Sequence, residues 1–261
     1  MIVSRSTSCP YCGENHSNLC YTVYDNGDFC FSCHKGHIKK DENYIYRKKE
    51  LTVVQEERNL VLPEFTDNPS KFSPVVLEWL YSYHLYDTDI KDNSILYCPT
   101  QDGRDESVLL TIRDENNKIV EYQRRFFPKS FFSSSGMKSS LFIKSPENNS
   151  STVYLVEDYI STIRVGEHVD CLCLFGTDLT KKTTEYILNQ YQKIVVWLDP
   201  DKPGQDSAIK IIDKLNKEIQ KLYKDFPFKY TWAYEVKNLF TEKQPKEYSK
   251  NEIKNIIKQN I

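Results

Sequence analysis

The sequence predicts an α/β protein: a parallel sheet with helices on both faces, preceded by a smaller α+β unit and a short cysteine-bearing segment. Three observations carry this. From Ser151 onward short apolar runs alternate with helical patterns, which implies a parallel sheet. Within that region Lys193–Ala208, KIVVWLDPDKPGQDSA, passes from five consecutive apolar residues straight into Asp199-Pro200-Asp201 and then into a helix. Residues 1–40 carry two Cys-x-x-Cys pairs.

In the Asp199 stretch, Ile194–Leu198 reads as a strand buried on both faces. Pro203 and Gly204 end the run, and Ala208, Ile209, Ile212, Leu215 and Ile219 recur at helical spacing. Asp199 and Asp201 therefore sit at the carboxyl end of a strand, the edge at which open α/β sheets bind ligands. Two carboxylates one residue apart can share a hard cation such as Mg²⁺. Ordinary turn and cap chemistry also favours Asp there, so the pair alone leaves both readings open.

The other elements follow the same logic. Thr152–Val156 is a strand ending in Glu157-Asp158, with a helix over Ile160–Val165. Cys171–Phe175 is a second strand, followed by Gly176-Thr177 and a helix from Lys181 to Tyr191. Tyr230–Val236 is a fourth strand, and a helix covers about Lys246–Ile257. Glu157 also ends a buried strand, so it emerges at the edge that carries Asp199 and Asp201. Three converging carboxylates repel one another, and a bound cation relieves that cost.

The chain has 261 residues with a formal charge of −2, which excludes a uniformly basic nucleic-acid binder but not a local basic strip. No apolar run reaches membrane-span length and no signal pattern opens the chain, so a cytoplasmic location is expected, with no membrane partner. In that compartment cysteines are metal ligands or plain thiols. Cys9-Pro10-Tyr11-Cys12 and Cys30-Phe31-Ser32-Cys33, separated by 17 residues, supply the four thiolates of a tetrahedral structural zinc site. Tyr21–Tyr24, Asp25–Asp28 and Phe29 read as strand, turn, strand, so residues 1–40 form a zinc ribbon. Cys20, His34 and His37 rank below the four cysteines as ligands, and Cys98, Cys171 and Cys173 read as buried small hydrophobes.

Residues 41–69 are a polar linker with a basic cluster at Arg47-Lys48-Lys49 and a short strand possible at Leu51–Val54. In residues 70–150, Ser73-Pro74 starts a helix with Val75, Val76, Leu77, Trp79 and Leu80 on its apolar face. Strands follow at Ile95–Cys98, Val108–Arg113 and Ile119–Arg125, the last two forming a hairpin across Asp114–Asn117. From Tyr122 to Lys144 the charges are Arg124, Arg125, Lys129, Lys138 and Lys144, with no Asp or Glu, and Phe126, Phe127, Phe131 and Phe132 are interleaved. Such a strip can neutralise phosphates and stack bases; it also suits a hairpin with core phenylalanines and solvated lysines.

Leu155-Val156-Glu157, Phe175-Gly176-Thr177 and Leu198-Asp199-Pro200-Asp201 with Gly204 resemble a TOPRIM domain, the metal-binding fold shared by bacterial-type primases, topoisomerases and some nucleases. With the two Cys-x-x-Cys pairs ahead of it, and Ile112-Arg113-Asp114, Gln123-Arg124, Lys129, Gly136, Lys138 and Leu141-Phe142 between, the chain resembles the DNA primases. It is most similar to the primase half of bacteriophage primase–helicases. The resemblance implies a zinc ribbon, a basic α+β subdomain and, over residues 151–261, the α/β TOPRIM domain. It implies synthesis of short RNA primers on single-stranded DNA from ribonucleoside triphosphates. Glu157 would act in proton transfer or metal binding, and Asp199 and Asp201 would hold Mg²⁺ or Mn²⁺. Arg124, Lys129 and Lys138 match positions that hold nucleotide and template; Arg125, Lys181 and Lys182 complete that candidate set.

The chain departs from the family pattern at Asp158 and Ser161, where Gly and Asp are frequent, and at Gln244, where relatives usually carry Asp. Asp206 or Asp158 would then substitute for the third acid, or the protein would bind without catalysing. The alternatives are thus a replication accessory with a degenerate site, or a TOPRIM nuclease. No GxxxxGK[ST] motif occurs, so a helicase is expected as a separate polypeptide, alongside a polymerase or single-strand-binding protein.

Overall fold

The computed structural model describes residues 2–13, 19–24, 27–30, 32–33, 35–38, 60–100, 105–113, 118–127, 132–134, 142–145, 151–225 and 234–260. Lys129, Lys138, Phe131, His34, the Arg47-Lys48-Lys49 cluster and the strand expected at 51–54 lie outside them.

The N-terminal unit is an antiparallel sheet in sequential order: β1 (Ile2–Ser6), β2 (Tyr21–Tyr24), β3 (Gly27–Cys30) and β4 (Gly36–Ile38). The expected strand–turn–strand is β2 paired with β3, and β1 and β4 flank it. Phe29 is buried and belongs to the same apolar cluster as Val153, Leu172 and Leu179, so the ribbon sheet is packed against the large domain.

The helix expected at Ser73 is α1 (Pro74–Ser82). Ser73 Oγ accepts from the Val76 N–H, and Pro74 occupies the first turn, where its missing N–H costs nothing. A short helix α2 (Asp87–Asp92) follows, then the antiparallel sheet β5 (Ile95–Cys98), β6 (Ser107–Arg113), β7 (Ile119–Phe126) and β8 (Phe132–Ser134). Val76, Leu80, Leu85 and Ile90 cover one face of this sheet together with Val108, Leu110 and Ile112.

The third sheet has the order β13-β12-β10-β11-β9, with β9 (Phe142–Lys144), β10 (Thr152–Val156), β11 (Asp170–Cys173), β12 (Lys193–Val196) and β13 (Glu235–Asn238). Four strands are parallel; β9 adds an antiparallel edge that no sequence pattern announces. Helices α3 (Tyr159–Gly166), α4 (Lys181–Gln190), α5 (Lys202–Asp225) and α6 (Lys250–Asn260) connect or follow the strands. Val153, Leu155, Ile194 and Val196 face a layer that includes Leu179, Ile187, Ala208, Ile211 and Leu215. Tyr154, Val156, Val195 and Trp197 face Val165, Ile253 and Ile257. Burial on both faces is why these strands read as unbroken apolar runs rather than alternating ones. Cys171 and Cys173 are buried in β11 and Cys98 in β5 of the antiparallel sheet, as expected.

Several boundaries differ from the sequence reading, and β11 ends at Cys173 instead of Phe175. Strand β12 ends at Val196, although the Trp197 N–H still donates to Leu155 O. The fourth strand is at Glu235–Asn238, with residues 226–233 outside the described set. The last helix starts at Lys250 instead of Lys246, because Ser249 and Glu252 form a capping box there: the Ser249 N–H donates to Glu252 Oε2 and the Glu252 N–H to Ser249 Oγ. Before it, Pro245–Glu247 is a single 3₁₀ turn.

The two larger sheets are joined through α3. Tyr159 and Ile163 are fully buried in the cluster that holds α1 and β6, and the Tyr159 hydroxyl donates to Thr111 O at 2.9 Å. That contact places the antiparallel sheet over the carboxyl ends of the parallel strands.

Candidate active site

Strand β10 delivers Glu157 and strand β12 delivers Asp199 to the same sheet edge. The Asp199 N–H donates to Glu157 Oε1 at 3.0 Å. Trp197, just before Asp199, anchors that strand end: its ring packs on Tyr154 and Tyr248, and its Nε1–H donates to Thr241 Oγ1. Asp201 stands at the start of α5, where its Oδ1 accepts the Gly204 N–H at 2.8 Å. The helix N-terminus is a favourable place for this negative charge. Gly204 is required by close approach: a Cβ there would lie 2.3 Å from Asp199 O and 2.8 Å from Glu157 Oε1.

Asp158 has a structural duty. It caps α3, its Oδ1 accepting the N–H groups of Ile160 and Ser161 and its Oδ2 the Ser161 hydroxyl. Lys246 Nζ lies 3.3 Å from the same Oδ2.

Glu157 and Asp199, but not Asp201, line a cleft of about 320 Å³ between the sheets. Glu157, Asp158, Asp199 and Lys246 form one wall; Trp79, Tyr83, Gln123 and Arg125 form the other. The Arg125 guanidinium stacks 4.5 Å from the Trp79 ring centroid. Burial, then the charges of Glu157 and Asp158, push the Asp199 carboxyl up to about 7. Burial also raises Glu157, against the lowering effect of the Asp199 amide. Asp199 Oδ1 is buried and has no hydrogen-bond partner among the described residues. A buried unpaired carboxylate oxygen beside a second carboxylate is an oxygen donor set suited to a divalent cation.

The basic candidates are divided. Arg125 lines the cleft, whereas its neighbour Arg124 is on the opposite face of β7, with Nε donating to Ser107 Oγ and the guanidinium over Phe126. Phe127 is buried in the core. Lys181 and Lys182 are exposed at the start of α4, Lys181 paired with Glu185 at 3.8 Å, and neither lines the cleft. Trp79, Tyr83 and Lys246 reach the cleft without having been named as site residues, and Gln123, named only within the family resemblance, reaches it too.

In the N-terminal unit the thiols of Cys9, Cys12, Cys30 and Cys33 all lie within 4.8 Å of one another, a set that could bind zinc. Cys9 and Cys30 are buried, as closed structural sites are. The Tyr11 hydroxyl, in the first knuckle, donates to Asp28 on β3. Cys20 Sγ is 3.9 Å from Cys30 Sγ but is not one of the four.

Residues 155–232, which carry Glu157, Asp199 and Asp201, match the Toprim-like family. This segment is a Toprim-like domain. Around it the whole chain has the fold of primases. The primase fragment of the bacteriophage T7 primase-helicase superposes with a TM-score of 0.52 at 17% identity, covering 100% of both chains. The zinc-binding and RNA polymerase domains of Aquifex aeolicus primase give a TM-score of 0.54 at 14% identity, covering 99% of this chain and 80% of that one. No curated protein matches the sequence. Among the described residues no helix is long and apolar enough to cross a membrane.

Proposed function

We propose that this chain is a DNA primase that joins ribonucleoside triphosphates into short RNA primers on single-stranded DNA, with the Toprim cleft as its active site. The observation that carries the reading is the meeting of Glu157 and Asp199 at two strand ends, opposite Arg125, in a chain with the primase fold along its length. In the reaction a 3′-hydroxyl attacks the α-phosphorus of the incoming triphosphate, the P–O bond to the β-phosphate breaks, and pyrophosphate leaves.

Asp199 and Glu157, with Asp201 beside them, would hold Mg²⁺ or Mn²⁺; such an ion, when bound, stabilises charge on the phosphate oxygens. Arg125 offers a guanidinium for phosphate pairing, held in place by Trp79. Glu157, with its raised affinity for a proton, is suited to receive the proton of the attacking hydroxyl. Arg124 faces the other side of its sheet, where it would meet template strand outside the cleft. Lys129, Lys138, Lys181 and Lys182 are proposed contacts for the same backbone. The ribbon would hold zinc on Cys9, Cys12, Cys30 and Cys33 and read the template. The working units are proposed as 1–40, 41–69, 70–150 and 151–261, acting in the cytoplasm of a bacterial cell, or of a host cell for a phage-encoded enzyme, with a separate helicase.

Purified protein with Mg²⁺ or Mn²⁺, four ribonucleotides and single-stranded DNA should yield labelled oligoribonucleotides. DNA binding without product under either metal would replace this reading by the accessory one, which the engagement of Asp158 as a helix cap favours. Template cleavage would make the protein a nuclease.

A further inference from the structure

One wall of the cleft carries an ammonium group among its carboxylates. Lys246 follows Pro245 in the 3₁₀ turn, and its side chain is only 17% exposed. Its Nζ lies 3.3 Å from Asp158 Oδ2 and 5.3 Å from the centroid of the Tyr83 ring. Burial works against its charge, yet Asp158 and then Asp199 outweigh burial and hold its pKa above the usual lysine range. The group therefore stays charged.

The carboxylates around it are not equally available. A carboxylate offers about four lone-pair sites. Those of Asp158 meet four donors: the N–H groups of Ile160 and Ser161, the Ser161 hydroxyl and Lys246. Ser161, at a position where the resembled family has an acid, donates to Asp158 instead of adding a charge. Gln244, the other such position, is neutral and starts the turn, its N–H donating to Glu247 Oε2. Asp199 Oδ1, by contrast, is buried without a partner. Open ligand capacity thus lies on the Asp199 side of the cleft, and a fixed cation occupies the Asp158 side.

We infer that Lys246 stands in for a second divalent cation: the cleft takes a single Mg²⁺ or Mn²⁺ at Asp199 and Glu157, and the lysine supplies the remaining positive charge that faces the substrate phosphates. The phosphate part rests on the primase reading; the count of ions does not. Two-metal sites neutralise attacking and leaving oxygens with a pair of ions, which needs carboxylates to hold both. An ammonium anchored on a helix-capping aspartate meets half of that requirement and leaves Asp201, one of whose oxygens accepts the Gly204 N–H, beside the single ion.

The test is Mn²⁺ binding to the full zinc-loaded chain, followed by electron paramagnetic resonance of the free ion. Wild type should bind one Mn²⁺ tightly, and Asp199→Asn should lose it. Lys246→Gln should bind Mn²⁺ at least about fivefold more tightly, because a positive charge beside the site has gone. Lys246→Asp should take up a second ion, and Lys246→Arg should keep the count at one. Two ions in wild type, or unchanged affinity in Lys246→Gln with unchanged stoichiometry in Lys246→Asp, would overturn the inference. If the binding series behaves as expected but no primers form, the primase reading fails and the single-ion site stands. Primer synthesis by a wild type that binds two ions gives the reverse.

Discussion

The backbone amide of Asp199 donates to the side chain of Glu157 at 3.0 Å, so one catalytic candidate holds the chain that carries the other. Replacing Glu157 by Gln keeps an oxygen for that bond and removes only the charge. Primer synthesis by Glu157→Gln should fall by at least about 100-fold, the scale of a lost proton acceptor, with single-stranded DNA binding within about twofold of wild type. A gel-based primer assay and a fluorescence anisotropy titration check the two parts.

Gly204 permits the approach of α5 to both acids. Gly204→Ala places a methyl group 2.3 Å from Asp199 O, a backbone atom that has to move. The expected cost is about 1–3 kcal/mol of stability, together with a large loss of synthesis. Denaturant melts measure the first quantity; a wild-type midpoint would show that the loop yields easily.

The two adjacent arginines separate by face. Arg125→Ala should raise the KM for ribonucleotide by about tenfold, the loss of one charge-assisted contact, because Arg125 lines the cleft. Arg124→Ala should leave that KM nearly unchanged and weaken template binding instead, since its guanidinium lies over Phe126 on the far face. Equal effects of both substitutions on KM would contradict the placement.

In the metal-free protein Asp199 titrates at about 7, raised by burial and by Glu157 and Asp158 from an ordinary value of 3.8. The fold favours the protonated form. The stabilisation from this group is therefore complete below the unfolded value and is lost as the pH rises through about 7. A divalent cation takes the place of the proton, so the rise in melting temperature on adding Mg²⁺ should be small at about pH 5.5 and larger at about pH 8. Thermal melts across that range, with and without Mg²⁺, give the answer; a pH-independent shift would place the ion elsewhere.

Zinc should be measurable at one ion per chain. Cys30→Ser with Cys33→Ser should lose it and loosen β1–β4, because a sheet this small has little core beyond the thiol cluster. Elemental analysis measures the metal, and hydrogen exchange over residues 2–38 measures the loosening. The strands of the Toprim-like domain should keep their protection.

The ends of β10 and β12 were legible to within two residues, because burial on both faces writes itself as an unbroken apolar run that stops at Val156 and Leu198. Ser73-Pro74 likewise announced α1 through local cap chemistry. The far wall of the cleft was not legible. Trp79 reads as part of a helix's apolar face and Tyr83 carries no signal, and only the packing of Tyr159 under β6 brings them to Glu157. Lys246 reaches Asp158 across 88 residues of chain. The separation of Arg124 from Arg125 could have been read: neighbours on a strand point to opposite faces, so both could not enter one cleft. Strand β9 is three residues long, too short for any periodic signal.

Helices on each side seal β10 along its length and β12 from Ile194 to Val196. Every residue from Thr152 to Val156 is buried, so a charged replacement in that row would cost stability outright. Freedom to change is thereby pushed toward the turns that follow the strands, as at Gln244, which starts the 3₁₀ turn carrying Lys246. Such an architecture can exchange the charges around its cleft over evolutionary time while the sheet beneath keeps its shape.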